Sequence, residues 1–148
     1  GEITVTDGRF DTEFILPKNI SHKFQPGKLT MYAWNENERT DASGASRNFV
    51  LGGIADQVSE DNTPPRIKVF INDSTFSPGG TVGTNSLLIA NLSDETGINI
   101  SDNGFNQGIT LRINRGDEIV PNEFYTANTD HYKIGTALFP LQNLATGK

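Results

Sequence analysis

Apolar and polar residues alternate one for one in short runs along this chain, and helical spacing is nearly absent. Ile67, Val69 and Ile71 alternate with Arg66, Lys68 and Phe70, and Ile109, Leu111 and Ile113 alternate with Thr110, Arg112 and Asn114. A period of two sends successive side chains to opposite faces of a strand, so such runs can bury one face only as part of a sheet. The runs are short because 15 Gly and 7 Pro punctuate 148 residues. Short strands divided by turn residues describe β-sandwich modules. The fold class is therefore all-β, with two Ig-like β-sandwich modules, both read as incomplete.

Individual elements follow from the same pattern. Ile3 and Val5 alternate with Thr4 and Thr6 before Asp7-Gly8, a pair suited to a hairpin turn because both positions favour positive φ. That turn sets Val5 opposite Phe10, with Phe14 and Leu16 continuing the face to Pro17. Gly27 opens a strand in which Leu29, Met31 and Ala33 share one face and Thr30, Tyr32 and Trp34 the other. A polar loop is expected from Asn35 to Ser46, then a short strand at Phe49-Val50-Leu51 ending at Gly52-Gly53. Residues 1–60 make the end of a first module. Asp61 to Arg66, containing Pro64-Pro65, is a stiff junction that resists strand pairing. Residues 67–148 make a second module, with a turn at Ser77-Pro78-Gly79-Gly80. Its Leu87 to Leu92 strand is apolar enough to be covered on both faces. A last strand runs from Tyr132 to Phe139, followed by one helical turn at Pro140 to Leu144.

Charge and composition exclude several functions. Twelve Lys and Arg against 18 Asp and Glu leave a net charge of −6. Nucleic acid is thus not a partner, since no basic face is available to displace counterions from phosphate. No purely apolar run exceeds four residues, the length of Leu87 to Ala90, far too short to span a bilayer. The chain has no Cys, which removes disulfides, thiolate metal sites and a cysteine nucleophile from these residues. It starts at Gly1 without a basic-then-apolar leader and is expected to be a mature chain or an excised piece.

No catalytic, cofactor-binding or metal-ligating residue is assigned. Nucleophilic catalysis needs a nucleophile, a base and a group that orients the base. His22 and His131 are the histidines, and neither lies in a catalytic motif, so both read as solvated loop residues. Calcium fares better, because carboxylates and Asn crowd the loops. An EF-hand template laid on Asn99 to Gly104 fails, since its twelfth position is Thr110 and not Glu. A looser, weak calcium site would join Asp61 to Asp94, against the plainer reading of a solvated acidic loop. Tyr32 and Trp34 suit either a sugar-stacking platform or packing under a loop or neighbouring module; packing is the expectation, since large aromatics are usually mostly buried. Asn19, Asn72, Asn91 and Asn99 each open an Asn-x-Ser triplet, and Asn91 falls mid-strand.

Certain stretches are more distinctive. Asp61-Asn62-Thr63-Pro64-Pro65-Arg66-Ile67, Ile71-Asn72-Asp73 with Phe76 and Gly79-Gly80, and Asp94-Glu95-Thr96-Gly97-Ile98-Asn99 resemble the PorU-type sortases of the type IX secretion system. So do Tyr125, Tyr132, Gly135, Pro140-Leu141 and Gly147. These sortases are gingipain-like cysteine peptidases, and the match is to the β-sandwich region after the catalytic domain. Gly8-Arg9-Phe10, Phe14 to Pro17, Tyr32-Ala33, Ala42-Ser43-Gly44 and Gly52-Gly53 resemble the end of the preceding module in the same proteins. The resemblance implies an exported protein of the outer surface of a Bacteroidetes-type cell. It implies a peptidase domain in the parent chain as neighbour, secretion-system surface proteins as partners, and a non-catalytic role as spacer, scaffold or docking surface. Neither residue of the family's Cys–His pair has a counterpart here. The first module lacks its opening strands and the second stops where family members continue. An Ig-like adhesion or glycan-binding module of another bacterial surface protein is the alternative.

Overall fold

Asp7 and Gly8 both take positive φ, 50° and 73°, and the turn closes through paired bonds between Thr6 and Arg9 at 2.9 and 3.0 Å. The Asp-Gly hairpin turn expected from sequence is therefore formed, although the ladder beyond it shrinks to the single Thr6–Arg9 bridge. The computed structural model describes residues 1–14, 16, 23–53, 61–100, 108–114 and 116–147. Across them the chain is all-β, with one 3-10 turn at Asn122–Phe124. It packs as two compact units, Lys18–Glu60 and the pair of segments Gly1–Pro17 and Asp61–Lys148. The sequence reading kept residues 1–60 together. The structure instead ties the first residues to the second unit, because Asp130 accepts from the Thr4 N–H at 2.7 Å and its hydroxyl at 2.6 Å.

In the Lys18–Glu60 unit, β1 (Gln25–Pro26) pairs with β4 (Val50–Leu51), while β2 (Leu29–Asn35) and β3 (Thr40–Ser46) form an antiparallel hairpin. β3 corrects the expected Asn35-to-Ser46 loop. Its sequence lacks the apolar alternation of a strand, so its pairing is decided by the turn before it. There the Asn35 side-chain oxygen accepts from the N–H groups of Asn37 and Glu38 at 3.0 and 3.2 Å, and Arg39 takes φ 50°. An Asx cap of that kind reverses the chain and delivers Thr40 opposite Asn35. Every residue of β2 is exposed, and no apolar side chain among the unit's described residues is buried.

The other unit holds β5 (Arg66–Ile71), β6 (Ser86–Ser93), β7 (Leu111–Arg112), β8 (Glu118–Ile119), β9 (Tyr125–Asn128) and β10 (His131–Leu141). Its main sheet is antiparallel throughout in the order β5-β6-β10-β9, with β7 and β8 paired separately. Register places Ile67, Leu92 and Gly135 in one row and Val69, Ala90 and Ala137 in the next. Partners in a row share a face, so these rows define the inner side. Ala90, Leu92 and Ala137 form the core, with Leu88, Ile98, Ile109 and Tyr125 packed against it.

β6 is central in the sheet, as its apolar run suggests, yet it is not covered on both faces: Leu87, Leu88 and Ile89 are half-buried and Asn91 is exposed. The expected helical turn at Pro140 to Leu144 is absent, because Pro140 and Leu141 pair with Leu87 and Ser86 at the end of β10. The strand expected from Ile109 to Ile113 contracts to β7. Ser77 to Gly80 turns as expected, with Gly80 N–H bonded to Ser77 O at 3.0 Å and Gly79 at φ 88°.

Candidate functional site

Asp130 and His131 are the described pair closest to catalytic chemistry, at the start of β10. Asp130 already has another task. The hydrogen bond from the Thr4 hydroxyl, then that from its N–H, holds the Asp130 carboxyl below its usual range, with nearby His131 adding a minor pull. A carboxylate committed to Thr4 does not orient a histidine base, and among the described residues no nucleophile completes a triad with the pair. The cleft around them is lined by Glu2, Asp11, Glu13, Asp130, His131 and Lys133, all open to water. His22, the other candidate, lies outside the described residues, as do Asn19 and much of the EF-hand template.

Asp61 and Asp94 do come together, as the loose calcium reading requires. The Thr96 hydroxyl lies 2.5 Å from Asp61 Oδ2 and 2.8 Å from Asp94 Oδ1, and the Thr96 N–H donates to Asp94 at 2.8 Å. A hydroxyl carries one proton, so it serves one carboxylate at a time. Calcium takes about six to eight oxygens. Among the described residues no group of three or more His, Cys, Asp or Glu is placed to hold a metal. The pair therefore offers the start of a coordination shell and not a cage.

Tyr32 and Trp34 share a face of β2, as alternation requires, and their rings stack at 6.1 Å and 20°. Tyr32 is 60% exposed and Trp34 53%, which corrects the expectation that they are packing residues. Burial depends on what lies over a sheet face, and β2 alone does not specify that. The Tyr32 hydroxyl donates to Asp41 on β3 at 2.8 Å, and that bond raises the phenol pKa. Trp34 faces the same Asp41 in register. The hairpin thus presents two aromatic rings and a carboxylate on one side.

The Asn triplets have structural uses where described. The Asn72 side-chain oxygen accepts from Leu87 N–H at 2.8 Å while Asn72 takes φ 67°. Asn91 accepts from the Thr136 hydroxyl at 3.1 Å across the sheet.

Two tyrosine–glycine pairs were not singled out for chemistry by sequence reasoning. The Tyr125 ring lies against Gly135, where any Cβ would meet its hydroxyl and, at 2.6 Å, the Thr126 carbonyl oxygen. Burial raises the Tyr125 pKa, and its hydroxyl has no partner among the described atoms. The Tyr132 ring covers Gly97, which sits at φ 99° and would place a Cβ 2.9 Å from the ring. Period-two reading cannot register such pairs, because a glycine is neither apolar nor polar in a pattern. All four residues belong to the stretches that carry the family resemblance.

No protein-family model matches the chain, and no curated protein matches it. Among solved structures it is similar to dimeric latent PorU from Porphyromonas gingivalis, with a TM-score of 0.57 and 40% sequence identity. The match covers 97% of this chain and 14% of that one. Both units take part, since so little of the chain lies outside the match. The chain is PorU-like, related over nearly all its length to one stretch of that much longer protein.

Proposed function

We propose that these residues are a non-catalytic accessory region of a surface-located, gingipain-like cysteine peptidase of the type IX secretion sortase kind. They serve as spacer, scaffold or docking surface beside the peptidase domain. The supporting observation is the 40% identity to a stretch making up 14% of PorU. The absence of Cys from the chain agrees with it. Four of the residues that carry the likeness pack tyrosine rings onto glycines, which suits a structural role. In this reading the β5-β6-β10-β9 sheet is the A-B-E-D layer of an Ig-type sandwich, and β7–β8 begins the opposite layer. Among the described residues no helix is long and apolar enough to cross a membrane. Deleting this region from the full-length protein tests the proposal. Cleavage of a short peptide by the peptidase domain should persist while maturation of exported cargo falls. Unchanged cargo maturation, or peptide cleavage by this chain alone, would overturn it.

A glycan-binding module is the second reading, favoured by the exposed, stacked Tyr32 and Trp34 beside Asp41. Aromatic faces stack on the apolar faces of sugars, and carboxylates accept from their hydroxyls. A polysaccharide array separates the readings: binding lost in Trp34→Ala supports the glycan module, and no binding by the unaltered chain removes it.

A further inference from the structure

One face of the β2–β3 hairpin is built of groups that all favour positive charge. Register sets Tyr32 opposite Ser43 and Trp34 opposite Asp41, so two aromatic rings and a carboxylate share that face. The rings lie near-parallel with centroids 6.1 Å apart, and both are more than half exposed. Aromatic faces carry the negative part of the ring quadrupole, and a carboxylate beside them adds a full negative charge. Asp41 uses Oδ2 to accept from the Tyr32 hydroxyl at 2.8 Å, which fixes the carboxylate beside the rings. Its Oδ1 has no partner among the described residues. Across Leu29–Ser46 the carboxylates of Glu36, Glu38 and Asp41 stand against the single guanidinium of Arg39. Among the described residues neither ring has a cation over it, and Asp41 has no ion-pair partner.

We propose that this face is a docking site for an arginine side chain carried on a basic polypeptide segment. The inference gives the docking-surface role above a place and a chemistry, and it rests on that reading. Charge complementarity selects the occupant. A planar guanidinium can stack on the Trp34 ring and fork its N–H groups to a carboxylate at the same time, so it uses both halves of the site. Lysine is a compact, strongly hydrated point charge and engages one half or the other. A neutral sugar stacks on the rings but gains nothing from the excess of negative charge. On the β3 side of this face Asp41 is followed by Ser43 and Ala45, both small, so the backbone of a segment can approach the rings. The chain's net charge of −6 draws such a segment from a distance.

Trp34 is the one Trp of the chain, so its fluorescence reports on this face alone. The probe is the capped pentapeptide Gly-Arg-Gly-Arg-Gly, with two analogues in which lysine or citrulline replaces arginine. Citrulline keeps the shape of arginine and loses its charge. The arginine peptide should change Trp34 emission saturably. The lysine peptide should bind at least about threefold more weakly, and the citrulline peptide should not bind at the same concentrations. Asp41→Asn keeps an acceptor for the Tyr32 hydroxyl and removes the charge, and it should weaken arginine binding at least about fivefold. Trp34→Ala, followed by calorimetry, should weaken it by a similar factor. Asp117→Asn removes an equal, exposed charge from the other unit and should change the affinity by less than about 1.5-fold.

Equal binding of the arginine and citrulline peptides would overturn the proposal. So would an Asp117→Asn effect as large as that of Asp41→Asn, because the attraction would then be net charge and not this site. Saturable binding of maltohexaose with none of the arginine peptide would overturn it as well and give the face to the glycan reading. Should Asp41→Asn open the hairpin, amide resonances of the unaltered chain, titrated with the arginine peptide, locate the contact directly. Shifts centred on Tyr32, Trp34 and Asp41 are expected, and shifts centred elsewhere would count against the site. Each of these failures leaves the accessory-region reading to its own deletion test.

Discussion

The two units make strands in opposite ways. The Asp61–Lys148 part of one unit builds a four-stranded sheet around Ala90, Leu92, Ala137 and Leu141, all buried. The Lys18–Glu60 unit builds a hairpin of two seven-residue strands from equally extended chain and buries no apolar side chain among its described residues. Register in the first is held by an apolar face that a one-residue slip would turn to water. Register in the second is held, among the described residues, by a turn, the Tyr32–Asp41 hydrogen bond and ladder bonds. An isolated two-stranded hairpin is marginal in water. A strand can therefore be well formed and still contribute little to stability, and substitutions should expose that difference.

The largest effect is expected at Leu92. Its truncation to Ala should cost about 2–5 kcal/mol, the range for a buried leucine whose cavity cannot fully collapse. Met31→Ala, an aliphatic truncation on the exposed hairpin, should cost less than about 0.5 kcal/mol. Urea melts followed by circular dichroism make the comparison. Equal costs would break it, showing that Met31 is packed in solution.

Glycines give the next contrast. Gly135→Ala forces a methyl group onto the Tyr125 hydroxyl and the Thr126 carbonyl, and the carbonyl belongs to a strand that cannot move alone. A cost of about 1–3 kcal/mol is expected, as for overpacking in a filled site. Gly27→Ala meets first the ring of half-buried Phe49, a side chain that can rotate away. A melting temperature that falls further for Gly27→Ala than for Gly135→Ala would show that the Phe49 site is the stiffer one.

These contrasts also mark how far the sequence is legible. β6 and β10 are readable because one face of each packs on the core, and burial is what imposes alternation; β5 alternates in the same register beside β6 although its Ile67 and Val69 are exposed. The Asp7-Gly8 and Ser77-to-Gly80 turns are readable because backbone φ selects their residues. β3 is not, since nothing buries it and its pairing follows from the Asn35 cap five residues before it. The exposure of Tyr32 and Trp34 is illegible for the same reason. Alternation assigns them correctly to one face without saying whether anything covers it. Asp61 and Asp94 are legible only as residues of two loops, and the Thr96 hydroxyl between them has no pattern to announce it.

Trp34→Ala should change stability by less than about 1 kcal/mol, against the roughly 3–5 kcal/mol of a buried large aromatic. A loss in the larger range would mean that the ring is packed in solution. Calcium is expected to act more weakly still. The Asp61–Thr96–Asp94 group should bind it no tighter than about 1 mM, so that millimolar calcium adds about 0.4 kcal/mol at most. Calorimetry and thermal melts check this, with Asp94→Ala abolishing any shift. A micromolar site would reveal ligands beyond these two carboxylates.

The smallest effects are pH-dependent and fall at opposite ends of the scale in the two units. Asp130 has its carboxyl pKa lowered by bonds from Thr4, so the folded state favours its charged form. That contribution is fully present above the unfolded value of about 3.9 and is lost as pH falls through the lower folded value. Tyr32 has its phenol pKa raised by the bond to Asp41, so its contribution is present below the unfolded value of about 10 and is lost as pH rises through the higher folded value. Acid should therefore loosen the first residues of the chain from Asp130 while leaving the β2–β3 hairpin closed, and alkali should open the hairpin while leaving Thr4 bound. Amide exchange resolved by residue follows both. Thr4 has two bonds to Asp130, only one of them from its hydroxyl, so Thr4→Val should weaken the acid effect without erasing it. Tyr32→Phe removes the titrating group altogether and should erase the alkaline effect. If Tyr32→Phe leaves alkaline opening unchanged, the hairpin does not depend on its one side-chain cross-link, and the contrast between a sheet held by its face and a hairpin held by its turn becomes sharper.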